Sequence, residues 1–156
     1  MIEHGSREDI IASLAALRAE IGCDFGAVGM TEAPLRVLRW QVASGHANER
    51  YAGIAEKPGR GLSATVLKVG RPISLSMTEL VCSRRLQEFP LLLAEDLRSA
   101  YAVPLYLGTS LAGVLIAGDR RKRIYRTEER RIVAAAGDRI AALLTGLSAA
   151  GSMQGG

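Results

Sequence analysis

The sequence is short of the residues that carry most metal, redox and base-stacking chemistry. Its 156 residues include two cysteines, two histidines and one tryptophan, and aromatics make up 4% of the chain. Cys23 and Cys82 stand apart with no C-x-x-C pair, and His4 and His46 are equally isolated, a pattern that argues against a structural zinc site. Two lone thiols suit a reducing cytoplasm. Long apolar runs are missing too. No stretch approaches the roughly 18 residues of a membrane span. Ile10 to Leu17 follows Arg7, Glu8 and Asp9, not the basic start of a secretory leader. The excess of one charge is small, since 20 basic against 16 acidic residues leave +4. A dedicated nucleic-acid binder carries a clearer basic face. The expectation is a cytoplasmic protein with no metal, no cofactor, no membrane contact and no nucleic-acid partner.

What is present suffices for one domain. A chain of this length buries about 70% of the surface it exposes when unfolded, and 48% hydrophobic with 23% charged residues is ordinary for a globular protein. Ser6 and Asp9 open a helix over residues 7–21, with Ile10, Ile11, Leu14, Leu17 and Ile21 at helical spacing and Gly22 as its stop. Strands follow at 25–30 and 35–43. In the second, Leu38, Trp40 and Val42 are expected on one face and Arg39 and Gln41 on the other. Asn48 caps a short turn through Tyr51. A glycine loop, 57–61, leads into a helix over 62–69, and a short strand begins at Ile73. Residues 77–97 resist assignment, with Pro90 interrupting them. A hairpin, 100–107 and 111–117, precedes a helix that Thr127 caps, with Ile132, Val133, Ala136, Ile140, Leu143, Leu144 and Leu147 as its buried stripe. This order describes an α+β sandwich. Residues 1–147 form the domain and 148–156 a flexible Gly-rich tail.

Few segments offer chemistry. Gly59 to Ala64 fits G-x-G-x-x-A, but Ala52 to Pro58 is not the buried strand that a dinucleotide fingerprint must follow. The loop has a more general use. A helix opening at Gly61 presents the N–H groups of Leu62, Ser63 and Ala64 at the positive end of its dipole, which makes an anion site without a basic side chain. Alternatively, Gly61 only permits a tight entry, and Ser63 or water satisfies the donors. Trp40 is either core, with its indole N–H on a nearby carbonyl, or a donor aimed into an apolar cavity. The run Arg120 to Arg123, with Arg126, touches phosphates or is a solvated loop. Cys82 is a redox thiol or an idle one.

The whole pattern resembles a GAF domain over residues 5–147. The resemblance lies in the glycine loop and the helix ending in Gly70-Arg71-Pro72, in the hairpin from Ala102-Val103-Pro104-Leu105 to Leu115, and in Tyr125-Arg126-Thr127-Glu128-Glu129. It implies an antiparallel sheet of five or six strands, terminal helices on one face and a small-molecule pocket on the other. Arg39-Trp40, Gly45, Asn48, Arg50-Tyr51, Ile54, Gly59, Gly61-Leu62 and Gly70-Arg71-Pro72 are similar to the signature of NreA-type nitrate receptors. That resemblance implies nitrate held by Trp40, by main-chain groups of Leu62 and Ala64, and by Leu91 after Phe89-Pro90, with Phe89 in place of a family tyrosine; Ser63, between the two main-chain donors, joins the candidate site from the helix-opening argument above. Nitrite and iodide are further candidate ligands. It also implies a sensor histidine kinase as the partner of a non-catalytic sensor that signals by contact. Separately, the apolar stripes of the terminal helices, with Ala134-Ala135-Ala136 and Ala141-Ala142 for close approach, either build a homodimer or bury only against the sheet. Two rivals stand beside this reading: a GAF-type free-methionine-(R)-sulfoxide reductase, whose several pocket cysteines would be reduced here to Cys82, and a ligand-free dimerisation module.

Overall fold

A computed structural model of the chain describes residues 4–155, with side chains from residue 6 to residue 146. Helix α1 (His4–Ile21) leads into strands β1 (Phe25–Glu32) and β2 (Val37–Ser44). A 3-10 turn (Arg50–Gly53) and the two-residue strand β3 (Ala55–Glu56) follow. Then come a π-helical turn (Ser63–Leu67), β4 (Ile73–Ser76), α2 (Met77–Cys82), a 3-10 turn (Leu86–Glu88) and α3 (Pro90–Glu95). The chain closes with β5 (Ser99–Leu107), β6 (Ser110–Asp119) and α4 (Thr127–Gly155). All six strands join one sheet in the order β3-β2-β1-β6-β5-β4, with every neighbouring pair antiparallel. The α+β antiparallel architecture expected from the sequence is the one observed.

The sheet divides two apolar layers. On one face α1 and α4 bury Ile10, Leu14, Leu17, Val133, Ala136 and Ile140 against Val28, Val103, Leu105 and Leu115. On the other, the short segments between β2 and β5 bury Leu62, Val66, Phe89, Leu91 and Leu92 against Phe25, Ala27, Leu38, Trp40 and Ile116.

The expected alternation in β2 fails at one point. Val28 pairs with Val42 but Gly29 pairs with Trp40, so Gln41 is an extra residue in a β-bulge. Trp40 therefore faces the layer of short segments, while Val42 turns to the helices. The helix expected over 62–69 is a single π-turn, in which the Lys68 N–H donates to the Ser63 carbonyl at 3.0 Å. Thr65 Oγ1 also donates to the Gly61 carbonyl at 2.9 Å, a back-bond that competes with regular winding. Pro90 does not interrupt a helix but begins α3, where its missing N–H costs nothing. Thr127 is the first helical residue of α4, not its cap, and the preceding Arg126 N–H is taken by Glu129 Oε1 at 2.9 Å. In α4, Ile132 and Leu143 are half-buried, and the side chain of Leu147 lies outside the described residues. The helix itself runs on through 148–155, where Ala149 and Ala150 are strong helix formers.

Of the basic run after β6, Arg120 and Arg123 are spent inside the fold, while Arg121, Lys122 and Arg126 are exposed. Asp119 is fully buried at the end of β6 and accepts from Tyr125 Oη at 2.8 Å, Arg123 Nη1 at 3.1 Å and the Asp24 N–H at 3.3 Å. Arg123 also donates to the Ile21 and Gly22 carbonyls at the end of α1 and pairs with Glu129 in the first turn of α4. Arg120 donates to the carbonyls of Gly45 and Glu95 and pairs with the buried Glu95 carboxylate at 2.5 Å. Burial and the Asp119 carboxylate both push the Tyr125 phenol well above its ordinary range, so it stays a donor. Tyr125→Phe strips a donor from a buried carboxylate, and urea denaturation should show a loss of about 1–3 kcal/mol.

Candidate functional site

The site is built where the edge of the sheet meets the glycine loop. Trp40 points from β2 into the layer of short segments, and its ring lies on Gly29 of the neighbouring strand. A Cβ on Gly29 would come within 3.0 Å of Trp40 Cε3 and 3.1 Å of Leu38 Cδ1, so the bare backbone at this position makes room for the indole. Beyond β2, the short strand β3 pairs Glu56 with Leu38, two residues from Trp40. The chain then reverses through Pro58 and the left-handed Gly59 and Gly61. Gly61, at φ +52°, passes so close to its neighbours that a Cβ would meet the Glu88 carbonyl oxygen at 2.2 Å and Glu56 Oε1 at 2.7 Å. Only glycine allows this approach.

The result is a converging pair of donors with a carboxyl group between them. Trp40 Nε1–H donates to Glu56 Oε2 at 3.2 Å, and the Leu62 N–H donates to Glu56 Oε1 at 3.3 Å. Trp40 is 2% exposed and Glu56 4%. Among the described residues no cation pairs with Glu56. Burial therefore dominates its titration and pushes the carboxyl up to about 7, while the two hydrogen bonds pull it down. Leu38, Phe89 and Leu91 belong to the same apolar cluster. On its outer side Glu56 borders a cleft of about 570 Å³, lined with it by Lys57, Gly59, Arg60, Gln87, Glu88 and Pro90.

The residues singled out in the sequence take different places around this centre. Trp40 and Leu62 meet on Glu56. Phe89 and Leu91 are buried beside them, and Pro90 reaches the cleft. Ala64 does not present a free donor, because its N–H is bonded to the Arg60 carbonyl at 3.2 Å. Ser63 is buried, its hydroxyl has no hydrogen-bond partner, and it borders a second cavity of about 380 Å³ with Thr31, Arg36 and Lys68. Sequence reasoning missed Glu56. Its one signal is an acidic residue directly after Ile54-Ala55, ahead of the Pro58-Gly59 reversal, where a short edge strand would point it inward.

The thiols lie elsewhere. Cys23 is buried in the layer beneath the terminal helices, and burial raises it to about 11, which makes it a poor nucleophile. Cys82 is exposed at the end of α2, and neither cysteine lines the cleft. Among the described residues no group of three His, Cys, Asp or Glu side chains gathers to hold a metal ion. No described helix is long and apolar enough to cross a membrane.

The raised carboxyl has a measurable effect on stability. Glu56 binds its proton more tightly folded than unfolded, so its contribution is full below about pH 4.5 and is lost as pH rises through about 7. Wild type should lose stability relative to Glu56→Gln between those limits by on the order of 3 kcal/mol, read from urea midpoints at pH 5 and pH 8.

Known proteins of the same shape bear on this site. The chain covers 95% of an NreA protein from Staphylococcus aureus, mutated in its nitrate-binding site. The two are 30% identical over 80% of the present chain, with a TM-score of 0.67. A hypothetical protein from S. aureus is 32% identical, with 74% of this chain and 95% of that one covered and a TM-score of 0.62. The GAF domain of a phosphoenolpyruvate-protein phosphotransferase from Coxiella burnetii reaches a TM-score of 0.79 at 19% identity, with 94% and 86% covered, a likeness of fold alone. No curated protein matches. The model of the GAF domain matches residues 5–145, which takes in every strand, the glycine loop, nearly all of α1 and the greater part of α4. The chain thus belongs to the GAF-domain family.

Proposed function

We propose that this protein is a cytoplasmic, non-catalytic sensor of nitrate that modulates a sensor histidine kinase through ligand-dependent contact. One observation carries the reading: an indole N–H and a main-chain N–H converge, 3.2 and 3.3 Å away, on the two oxygens of a planar carboxyl group. The Glu56 carboxyl group stands there for two of the three oxygens of nitrate. The likeness to an S. aureus NreA protein with a nitrate-binding site supports the same choice. The kinase partner rests on the resemblance to nitrate receptors.

The donor set also argues for selectivity. Neither donor carries a full charge, and the walls include Phe89 and Leu91. Such a pocket suits a monovalent, weakly hydrated ion such as nitrate, with nitrite and iodide as close candidates. Sulfate and phosphate would surrender far more hydration than two neutral donors return. Glu56 already satisfies both donors, which favours a second reading, a ligand-free dimerisation module.

Calorimetric titration separates the two. Nitrate should bind, and sulfate or phosphate at equal concentration should not compete. Trp40→Phe keeps the apolar ring and removes one donor, and should weaken nitrate binding by up to about 3 kcal/mol. Absence of heat with every anion would favour the ligand-free module.

The dimer is proposed on the outer surfaces of α1 and α4. Ile11 projects outward from α1, and a shallow groove between the helices is lined by Ser6, Asp9, Ala142, Leu143 and Gly146. Small residues there allow close helix approach. Light scattering should give twice the chain mass at micromolar concentration, and a monomer mass throughout would remove the dimer.

A further inference from the structure

The donors that would hold nitrate are occupied, and the occupant belongs to the chain itself. None of the cavities described above is lined by Trp40, Leu62 or Leu91. Gly61 and the Glu88 carbonyl close one side of the carboxyl group, as the clash of an added Cβ demonstrates. The open side is the cleft, which Glu56 already lines together with Lys57 and Arg60. Rotation about its side-chain bonds carries the carboxylate from two neutral donors in an apolar layer to water next to two cations.

We propose that Glu56 is a tethered occupant of the anion site, which holds the Trp40 and Leu62 donors in the empty protein and is expelled into the cleft when nitrate takes them. The inference rests on the nitrate reading and makes Glu56 the residue that sets the affinity of the site. An external ion must outcompete a carboxylate held at high effective concentration by its own backbone. A pocket of this kind responds to nitrate only above a threshold, and that threshold is tuned by a residue that does not touch the bound ion.

The same arrangement couples nitrate to a proton. The ionisable groups that line the cleft with Glu56 are Lys57 and Arg60 of the loop and Glu88 on the turn before α3, where Glu88 pairs with Arg85; Tyr51, on the turn after β2, belongs to the same apolar cluster as Trp40 and Leu62. The inward residues of β2 and of the glycine-loop turn, Leu38, Trp40, Leu62 and Val66, carry no charge. Inside, the carboxyl keeps its proton up to about pH 7. In the cleft, in water, it returns to the ordinary range of a glutamic acid, near pH 4.5. The neutral form therefore favours the inner position and the charged form the outer one. Nitrate binds the outer form, so binding releases a proton between these limits. Affinity falls as pH drops, by up to about tenfold per pH unit inside that window.

The test is calorimetry with sodium nitrate on the full chain at pH 5, 6 and 7.5, each in two buffers of different ionisation enthalpy, with wild type and Glu56→Ala. Glu56→Ala should bind nitrate at least tenfold tighter than wild type at pH 6, with little change across the three pH values. Wild type should bind more tightly at each higher pH and release up to one proton per nitrate at pH 6. Equal affinities of the two proteins, or wild-type affinity that is flat or rises toward pH 5, would overturn the tethered occupant while leaving the nitrate reading intact. If neither protein binds nitrate at any pH, the nitrate reading fails and this inference fails with it. Should circular dichroism show that Glu56→Ala does not fold, the wild-type pH series and proton count decide alone.

Discussion

A carboxylate taken out of water loses several kcal/mol of hydration unless fixed donors replace it, and three carboxyl side chains are buried among the described residues. Asp119 and Glu95 are each answered by an arginine and by main-chain N–H groups, Arg123 and Asp24 for the first, Arg120 and Ala47 for the second. These two pairs fasten the ends of the architecture. Asp119 joins the last strand to both terminal helices, and Glu95 joins α3 to the loop after β2. Glu56 is the exception. Its donors are neutral, and Lys57 and Arg60 line the cleft outside it. The two arginine-paired groups are built to stay, whereas Glu56 sits in a position that a comparable anion can contest. The contrast marks Glu56 as the adjustable member of the set.

Much of the frame was legible because its pattern is local. The spacing of Ile10, Leu14, Leu17 and Ile21 defines α1, and the hairpin around Gly108 announces β5 and β6. Trp40 and Leu62 could be singled out from a strand's apolar face and a glycine loop, and they do share a partner. What remained hidden depends on pairing between distant segments. The bulge at Gln41 is set by registration against β1, and it sends Val42 to the opposite layer from Trp40. The π-turn is defined by the Lys68 N–H reaching back to the Ser63 carbonyl and carries a Thr65 back-bond to Gly61, which no periodicity records. Glu56 occupies a two-residue strand, too short for any alternation, and its partners lie sixteen residues before and six after it. The irregular stretch 77–97 became α2, a 3-10 turn and α3, each only a few residues long and held by tertiary packing.

The bulge has a mechanical meaning for a sensor. Trp40 and Val42 are neighbours on one strand, yet the first faces the ligand layer and the second packs beneath α1. A regular strand would have placed both on one face and left the two layers separated by the sheet. Here a single short stretch of backbone is gripped from both sides. Movement of the indole bears on the seat of a terminal helix, the surface on which the proposed dimer is built.

Trp40 is also the sole tryptophan in the chain. Indole emission depends on the polarity and hydrogen bonding around the ring, and in most proteins several indoles blur that report. Here the entire tryptophan fluorescence arises from the one ring whose N–H rests on the Glu56 carboxyl group. The protein carries its own optical probe at the point where the proton and the Glu56 carboxylate meet the proposed anion.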